Sequence, residues 1–226
     1  MKIRKEFLLP GSITISITMI SLLLTKNILV AIPFLVLLIF LLNFFRDPER
    51  IPEEQSENSL ISPADGNVFI KDEIEIDKTE IKELFPQISE KKMKRIAIFM
   101  SPFDVHVNRA PCDAEILGIE KKEGGFERAF LEKSEKNSRV LWWLKTNEGK
   151  DILLIQIAGA IARRISTFKK KGDFVKKGER IGMIYLGSRV DMLIPEDWNF
   201  SVSVGDKVLA GKTKVGEKNS DKKENT

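Results

Sequence analysis

Gly182-Met183-Ile184-Tyr185-Leu186-Gly187-Ser188-Arg189-Val190-Asp191-Met192-Leu193-Ile194-Pro195 is the stretch on which the reading of this 226-residue chain turns. Two apolar, β-prone runs flank a single Gly-Ser step, and the pattern alone predicts a hairpin with a tight glycine turn. Gly-Ser is also chemically distinctive. Glycine has no side chain to shield its carbonyl, and a strained turn can bring that carbonyl under the next residue's hydroxyl. An N-to-O acyl shift would turn the Gly187–Ser188 amide into an ester. β-Elimination would then cut the chain and leave dehydroalanine, which hydrolyses to a pyruvoyl group. On this stretch alone both readings stay open.

The rest of the composition narrows the classes. The chain is long enough for one domain with a real core plus appendages. Thirty-seven Lys+Arg against 33 Asp+Glu give a net charge of +4. That mild excess suits an anionic membrane surface and does not demand nucleic acid. No aromatic-interleaved basic patch or zinc-finger spacing points to nucleic acid either. Cys112 is the single cysteine and His106 the single histidine. An intramolecular disulfide is therefore impossible, and no metal site is expected.

Upstream, Phe7–Thr25 and Asn27–Phe45 are two uncharged runs of 19 residues each, separated by Lys26. At about 1.5 Å per residue each just spans a hydrocarbon core about 30 Å thick. The first is the weaker, because it holds Pro10, Gly11 and the hydroxyls of Ser12, Thr14, Ser16, Thr18 and Ser21. A tight transmembrane helical hairpin over residues 1–45 fits, turning at Lys26-Asn27. Lys2, Arg4, Lys5, Arg46 and Arg50 flank it and place its two ends, and the rest of the chain, on the cytoplasmic side of the cell membrane. A cleaved signal peptide and a buried core helix are the weaker alternatives.

Residues 46–60, polar with two prolines, read as a linker. From Ile61 the chain is short β-type runs: Asn67–Ile70, Arg95–Met100, Ala114–Ile119, Val140–Leu144, Ile152–Ile157 and Gly182–Leu186. The expected fold is mainly β: a compact antiparallel domain over 61–211 with short helices, one near Lys78–Leu84. Residues 212–226 offer almost nothing to bury and are expected to form a disordered tail.

Two further segments bear on Gly187-Ser188. Ser62-Pro63-Ala64-Asp65-Gly66 is by itself an ordinary turn before a strand. Met100-Ser101-Pro102-Phe103-Asp104-Val105-His106-Val107-Asn108-Arg109-Ala110-Pro111 places the lone imidazole among polar neighbours. With Leu186-Gly187-Ser188 these segments, in this order, resemble the phosphatidylserine decarboxylase family. Phe44-Phe45-Arg46-Asp47-Pro48-Glu49-Arg50 and Gly159-Ala160-Ile161-Ala162-Arg163-Arg164-Ile165 are similar to its short, membrane-associated (type A) branch. The likeness runs from about Phe44 to Lys212.

The resemblance implies a zymogen that cuts itself between Gly187 and Ser188. Ser188 would become a covalent pyruvoyl (pyruvic acid) cofactor on a small chain, 188–226, bound to a large chain, 1–187. The substrate would be phosphatidylserine in the membrane. Its amine would form a Schiff base with the pyruvoyl ketone, and loss of CO2 would yield phosphatidylethanolamine, a step of phospholipid biosynthesis. His106 is the side chain whose ordinary pKa suits proton transfer near neutrality, and Asp65 could orient it, as in a Ser-His-Asp set. Longer members carry a second histidine three positions on, where this chain has Arg109. An arginine cannot act as a base, but it can hold a carboxylate or phosphate. Arg109, Asn108 and Arg163 are thus the expected substrate-binding residues, with Arg164 and Lys169–Lys171 further candidates for the lipid phosphate.

An archaetidylserine (isoprenoid-ether) substrate is the alternative within the family. Outside it stands a non-enzymatic lipoyl- or biotinyl-type carrier, which Gly172-Asp173-Phe174-Val175-Lys176-Lys177-Gly178-Glu179-Arg180-Ile181-Gly182 resembles. Such carriers present a lysine where this chain has Gly187-Ser188. A zinc peptidase would need more histidines than one. The oligomeric state is open, with a homo-oligomer possible.

Overall fold

The computed structural model describes residues 2–125, 137–159, 164–185 and 188–219. It divides into two units: Met1–Glu49 with Phe103–Val105, and Arg50–Pro102 with His106–Thr226.

In the first unit the apolar runs become α1 (Leu8–Thr25) and α2 (Ile28–Phe44). The strands β1 (Lys2–Ile3) and β2 (Arg46–Asp47) pair where the two helices' outer ends meet. The expected turn is present. Lys26 takes a left-handed φ of 50° and ends α1, and the Asn27 side chain caps α2 by accepting from the Leu29 N–H at 3.0 Å. Most of the hydroxyls that weaken the first run as a membrane segment are satisfied within it. Thr14, Thr18 and Thr25 donate to carbonyls four residues back at 2.7–2.8 Å, and Ser12 and Ser21 to carbonyls three back. Such back-bonding leaves the helix surface apolar. Lys5–Thr25 is helix long and apolar enough to cross a membrane, with a mean hydropathy of 2.0.

The second unit is antiparallel β throughout its named strands. In chain order they are β3 (Ser59–Ile61), β4 (Gly66–Glu75), β5 (Lys92–Met100), β6 (Val107–Arg109), β7 (Ala114–Lys122), β8 (Arg139–Thr146) and β9 (Asp151–Ile157). Then come β10 (Ile165–Thr167), β11 (Phe174–Val175), β12 (Arg180–Ile184), β13 (Ser188–Pro195), β14 (Trp198–Phe200), β15 (Lys207–Val208) and β16 (Lys214–Lys218). A short helix, α3 (Glu80–Leu84), lies where a helix is expected. One eight-stranded sheet has the order β11-β7-β8-β9-β13-β5-β4-β15; two three-stranded sheets run β10-β12-β6 and β14-β16-β3.

Strand alternation sorts the core. Val190, Met192 and Ile194 face the main apolar cluster with Ile96, Ile98, Met100, Trp142 and Leu154. Leu193 faces the other way, into a smaller cluster closed by Ile81 of α3, by Phe85 just after it and by Trp143. Cys112 is buried in the main cluster, and burial pushes its thiol up to about 12.

Three expectations are corrected. Gly187-Ser188 does not join a hairpin: β12 pairs with β6 and β10, whereas β13 pairs with β5 and β9. The strands on either side of the step belong to different sheets, and period-2 alternation identifies a strand without naming its partner. Residues 46–60 are not a free linker, because Glu53 N–H donates to the Lys212 carbonyl at 2.9 Å and Arg50 is fastened into the second unit. Nor is the whole of 212–226 a tail. Lys214–Lys218 is a strand between β14 and β3, with Val215 fully buried. Backbone pairing on both sides supplies there what composition lacks.

Gly66 makes the closest approach in the sheet. Its φ is +145°, and a Cβ added to it would lie 2.0 Å from the Phe99 carbonyl oxygen. Gly66→Ala is expected to lower unfolding stability by about 2–4 kcal/mol through that clash and the strained φ. Denaturant unfolding of the purified protein measures it; a change within experimental error would contradict the packing described.

Candidate active site

Ser188 opens β13 opposite Met100, the last residue of β5. Val107, the first residue of β6, lies opposite Met183 of β12. The connection from β5 to β6 and that from β12 to β13 therefore leave paired strands and enter paired strands. The registers draw Ser188 and His106 to one region. His106 is fully buried, and its carbonyl accepts the Ile184 N–H at 3.2 Å, three residues before Gly187. Ser188 is also fully buried, and its Oγ makes no hydrogen bond among the described residues. A buried hydroxyl without a partner is uncommon in a folded protein.

Asp65 reaches the same end of the sheet. It precedes Gly66, and Asn67 lies opposite Phe99, so β4 starts where β5 finishes. The turn holding it is tied to β6, since Arg109 N–H donates to the Pro63 carbonyl at 2.9 Å. The Asp65 carboxylate is gripped by the Arg50 guanidinium through both oxygens, with Nη2 to Oδ2 at 2.8 Å, and it accepts the Ala210 N–H at 2.8 Å. Arg50 also donates to the Ala210 carbonyl at 2.8 Å. Sequence reasoning treats Arg50 only as a flanking charge. The one signal that could have linked the two is that the Phe44–Arg50 motif and the Asp65 turn resemble the same family.

Asn108 sits two residues beyond His106 on β6, fully buried. Its Oδ1 accepts from Gln156 Nε2 at 2.7 Å, and Gln156 Oε1 accepts from Trp142 Nε1 at 2.8 Å. Asn108 Nδ2 also approaches the Met100 sulfur at 3.7 Å. Gly182 makes room for this chain of contacts, since a Cβ there would lie 2.9 Å from Gln156 Nε2 and 2.7 Å from the Ser166 carbonyl. Gln156 and Trp142 are invisible to motif reading; each is one residue of an apolar strand among many.

Arg109 is almost wholly buried and donates from Nη1 to the Gly178 carbonyl at 2.8 Å. Of the outer basic candidates, Arg164 is exposed with its guanidinium 5.1 Å from the Tyr185 ring centre. Lys169 pairs with Glu179. Burial alone would raise the Glu179 carboxyl, but Lys169 and the Lys176 N–H outweigh it and hold it below the usual range. Lys170 and Lys171 are exposed. Arg163 and Gly187 lie outside the described residues.

Comparison with known proteins bears on this arrangement. The family model described as phosphatidylserine decarboxylase matches residues 37–216. A phosphatidylserine decarboxylase proenzyme of Streptomyces avermitilis is 44% identical over 186 residues, 82% of this chain and 78% of the relative. One of Pelagibacter ubique is 44% identical over 185 residues, covering 81% and 82%. A putative archaetidylserine decarboxylase proenzyme of Methanothermobacter thermautotrophicus is 41% identical over 192 residues, covering 81% and 83%.

The Asn108–Gln156–Trp142 contacts carry a stability prediction. Gln156→Leu orphans a buried indole N–H and a buried amide oxygen, and is expected to cost about 2–4 kcal/mol of unfolding free energy. Exposed Lys121→Ala should stay within about 0.5 kcal/mol. Parallel denaturant titrations decide it, and equal effects would show that the buried amide contributes nothing particular.

Proposed function

The chain belongs to the phosphatidylserine decarboxylase family, and from that premise we propose how its own residues perform the work. It is a proenzyme that cuts itself at Gly187–Ser188 and then converts phosphatidylserine to phosphatidylethanolamine and CO2. The observation that carries the reading is the burial of Ser188 Oγ, without a hydrogen-bond partner among the described residues, where two sheet crossovers run together. Among the described residues no acceptor holds that hydroxyl, so the residues present fit the formation of a pyruvoyl group at position 188. When formed, that group supplies the electron sink for loss of CO2.

The chain's own residues then have distinct tasks. Ser188 Oγ attacks the Gly187 carbonyl carbon, forming the C–O ester bond as the C–N bond breaks. His106 takes the hydroxyl proton and returns it to the Ser188 nitrogen as the C–N bond breaks; after cleavage it serves the proton transfers of turnover. Asp65 lies at the same end of the sheet and fixes the local field as a carboxylate already paired with Arg50. Its tie to the Ala210 N–H fastens the Ser62–Gly66 turn to the segment after β15. Arg109 holds the turn at Gly178, and its guanidinium charge faces the acidic groups of the lipid. Asn108 sets the strand that carries His106, and Arg163 is assigned to the lipid phosphate. The buried setting excludes water from the ester before elimination.

The N-terminal helices anchor the protein in the cell membrane with the β-rich unit on the cytoplasmic side, as the flanking Lys and Arg residues favour. Isoprenoid-ether archaetidylserine is the second reading of the substrate, favoured by the 41% identity to a relative named for it. Turnover of both lipids by one preparation separates the two.

Three outcomes test the reading. Wild-type protein should run as two chains on denaturing electrophoresis, the small one of 39 residues (188 to 226) and blocked to Edman sequencing; Ser188→Ala should stay whole and inactive. Active wild-type protein of full length would sink the proposal. For His106→Ala, the time course of self-cleavage in freshly translated protein should slow by about 100-fold or more, since general acid–base help is typically worth that much. A wild-type rate would assign the base elsewhere. Finally, full-length protein should stay in the membrane fraction after a high-salt wash, because salt screens charge and not apolar insertion. Release by salt alone would show that the helices do not insert.

A further inference from the structure

Next to Ser188 stands an unusual pair. Arg189 is a fully buried arginine in an interior strand, and it forks onto Asp191 two residues on, Nε to Oδ1 at 2.6 Å and Nη2 to Oδ2 at 2.7 Å. Its guanidinium carbon lies 5.2 Å from the Phe69 ring centre. Asp191 also faces Arg95 Nη1 at 3.5 Å, and Arg95 forks onto Asp72 at 2.9 and 2.6 Å. Charges of alternating sign thus run across β13, β5 and β4, on the sheet face away from the main core. Burying Arg189 and Asp191 brings little net stability, because well-packed apolar residues of similar volume commonly do as well. What they supply is register. A slip of β13 by one residue would turn Arg189 and Asp191 into the cluster that holds Val190 and Met192.

Register at this point matters more after scission than before. Ser188 is paired on one side only, with Met100, whereas Arg189 is the first residue paired on both, with Phe99 and Ile157. In the uncut chain, β13 is also held by its covalent link to β12. Scission removes that link, and conversion of the serine to a pyruvoyl end removes its N–H, so the new end keeps fewer ties than an ordinary strand terminus. Strand ends with few ties fray.

We propose that Arg189 and Asp191 are positioning residues that hold the chain end created at residue 188 in register once it is no longer joined to β12. This rests on the scission reading given above. The pair would then be dispensable for cutting and needed for turnover.

The test compares Arg189→Lys, which keeps the charge and loses the fork, and Asp191→Asn, each in two full-length backgrounds: able to cut, and uncut through Ser188→Ala. Hydrogen exchange is followed in the segment 189–194. In the cut protein the variants should raise exchange there by about 10-fold over wild type, and in the uncut background by less than about 2-fold. Self-cleavage should run within about 3-fold of the wild-type rate, while kcat falls by about 10-fold or more with KM within about 2-fold. With wild-type chains cut as expected, equal exchange increases in both backgrounds would overturn this role alone. So would loss of folded protein in both, since the pair would then serve folding and not the cut end. A wild-type chain that remains whole would instead overturn the scission reading, and this role with it.

Discussion

The fold's governing constraint is the double pairing of β5 with β13 and of β6 with β12. Neither pair belongs to the other's sheet, so both connections must change sheets at the same place. A turn at the tip of a hairpin would leave Ser188 in water, where its hydroxyl and the neighbouring carbonyl would both be solvated. The crossover instead buries the serine completely. The placement of Ser188 opposite Met100 and of Val107 opposite Met183 follows from strand pairing, and the alternation of Val190, Met192 and Ile194 into the main cluster with Arg189 and Asp191 away from it fixes the register of β13. Ser188 and the strand that follows His106 thus belong to rigid elements whose positions are over-determined.

Much of this was legible in the residues. The strands at Arg95–Met100, Val140–Leu144 and Ile152–Ile157 all appear, extended by one to three residues in the structure. The Lys26-Asn27 turn was legible because a lone charge and a capping residue stood between two uncharged runs. What could not be read was partnership. The runs around Gly187-Ser188 look like a hairpin because nothing in alternation says which strand lies alongside. Asp65 was legible as a candidate but its Arg50 partner was not, since the two meet only through the fold, across two prolines. The strand Lys214–Lys218 was hidden by its composition: a polar strand buried by its neighbours' backbones carries no apolar signature beyond Val215.

Around the crossovers the second unit concentrates buried polar groups, and they are answered by specific partners. Asn108 meets Gln156, which meets Trp142; Asp65 meets Arg50 and the Ala210 N–H; Arg109 meets the Gly178 carbonyl. The Asn108–Gln156, Asp65–Ala210 and Arg109–Gly178 bonds join segments 48 or more residues apart. A framework of satisfied groups resists rearrangement, because breaking one partner leaves the other buried and unpaired. Against that framework the Ser188 hydroxyl, like the Trp198 indole N–H, is a buried group whose hydrogen-bonding capacity the fold leaves unused among the described residues.

The same weave explains why a cut at residue 188 need not release the piece beyond it. That piece contains β13, β14, β15 and β16. β13 lies between β9 and β5, β15 edges β4, and β16 lies between β14 and β3. Every residue of β13 is buried, and Trp198 and Val215 lie in the main apolar cluster with residues from before the cut. Taking out the small chain would expose that cluster and break ladders in two sheets, a penalty far larger than the loss of one peptide bond's tether. Only the ends beside the cut lose anything: residue 188 on one side, and the segment leading out of β12 on the other. The demand that scission places on the structure is therefore local. It falls on the first residues of β13, where the buried arginine, its carboxylate partner and the two-sided ladder all begin.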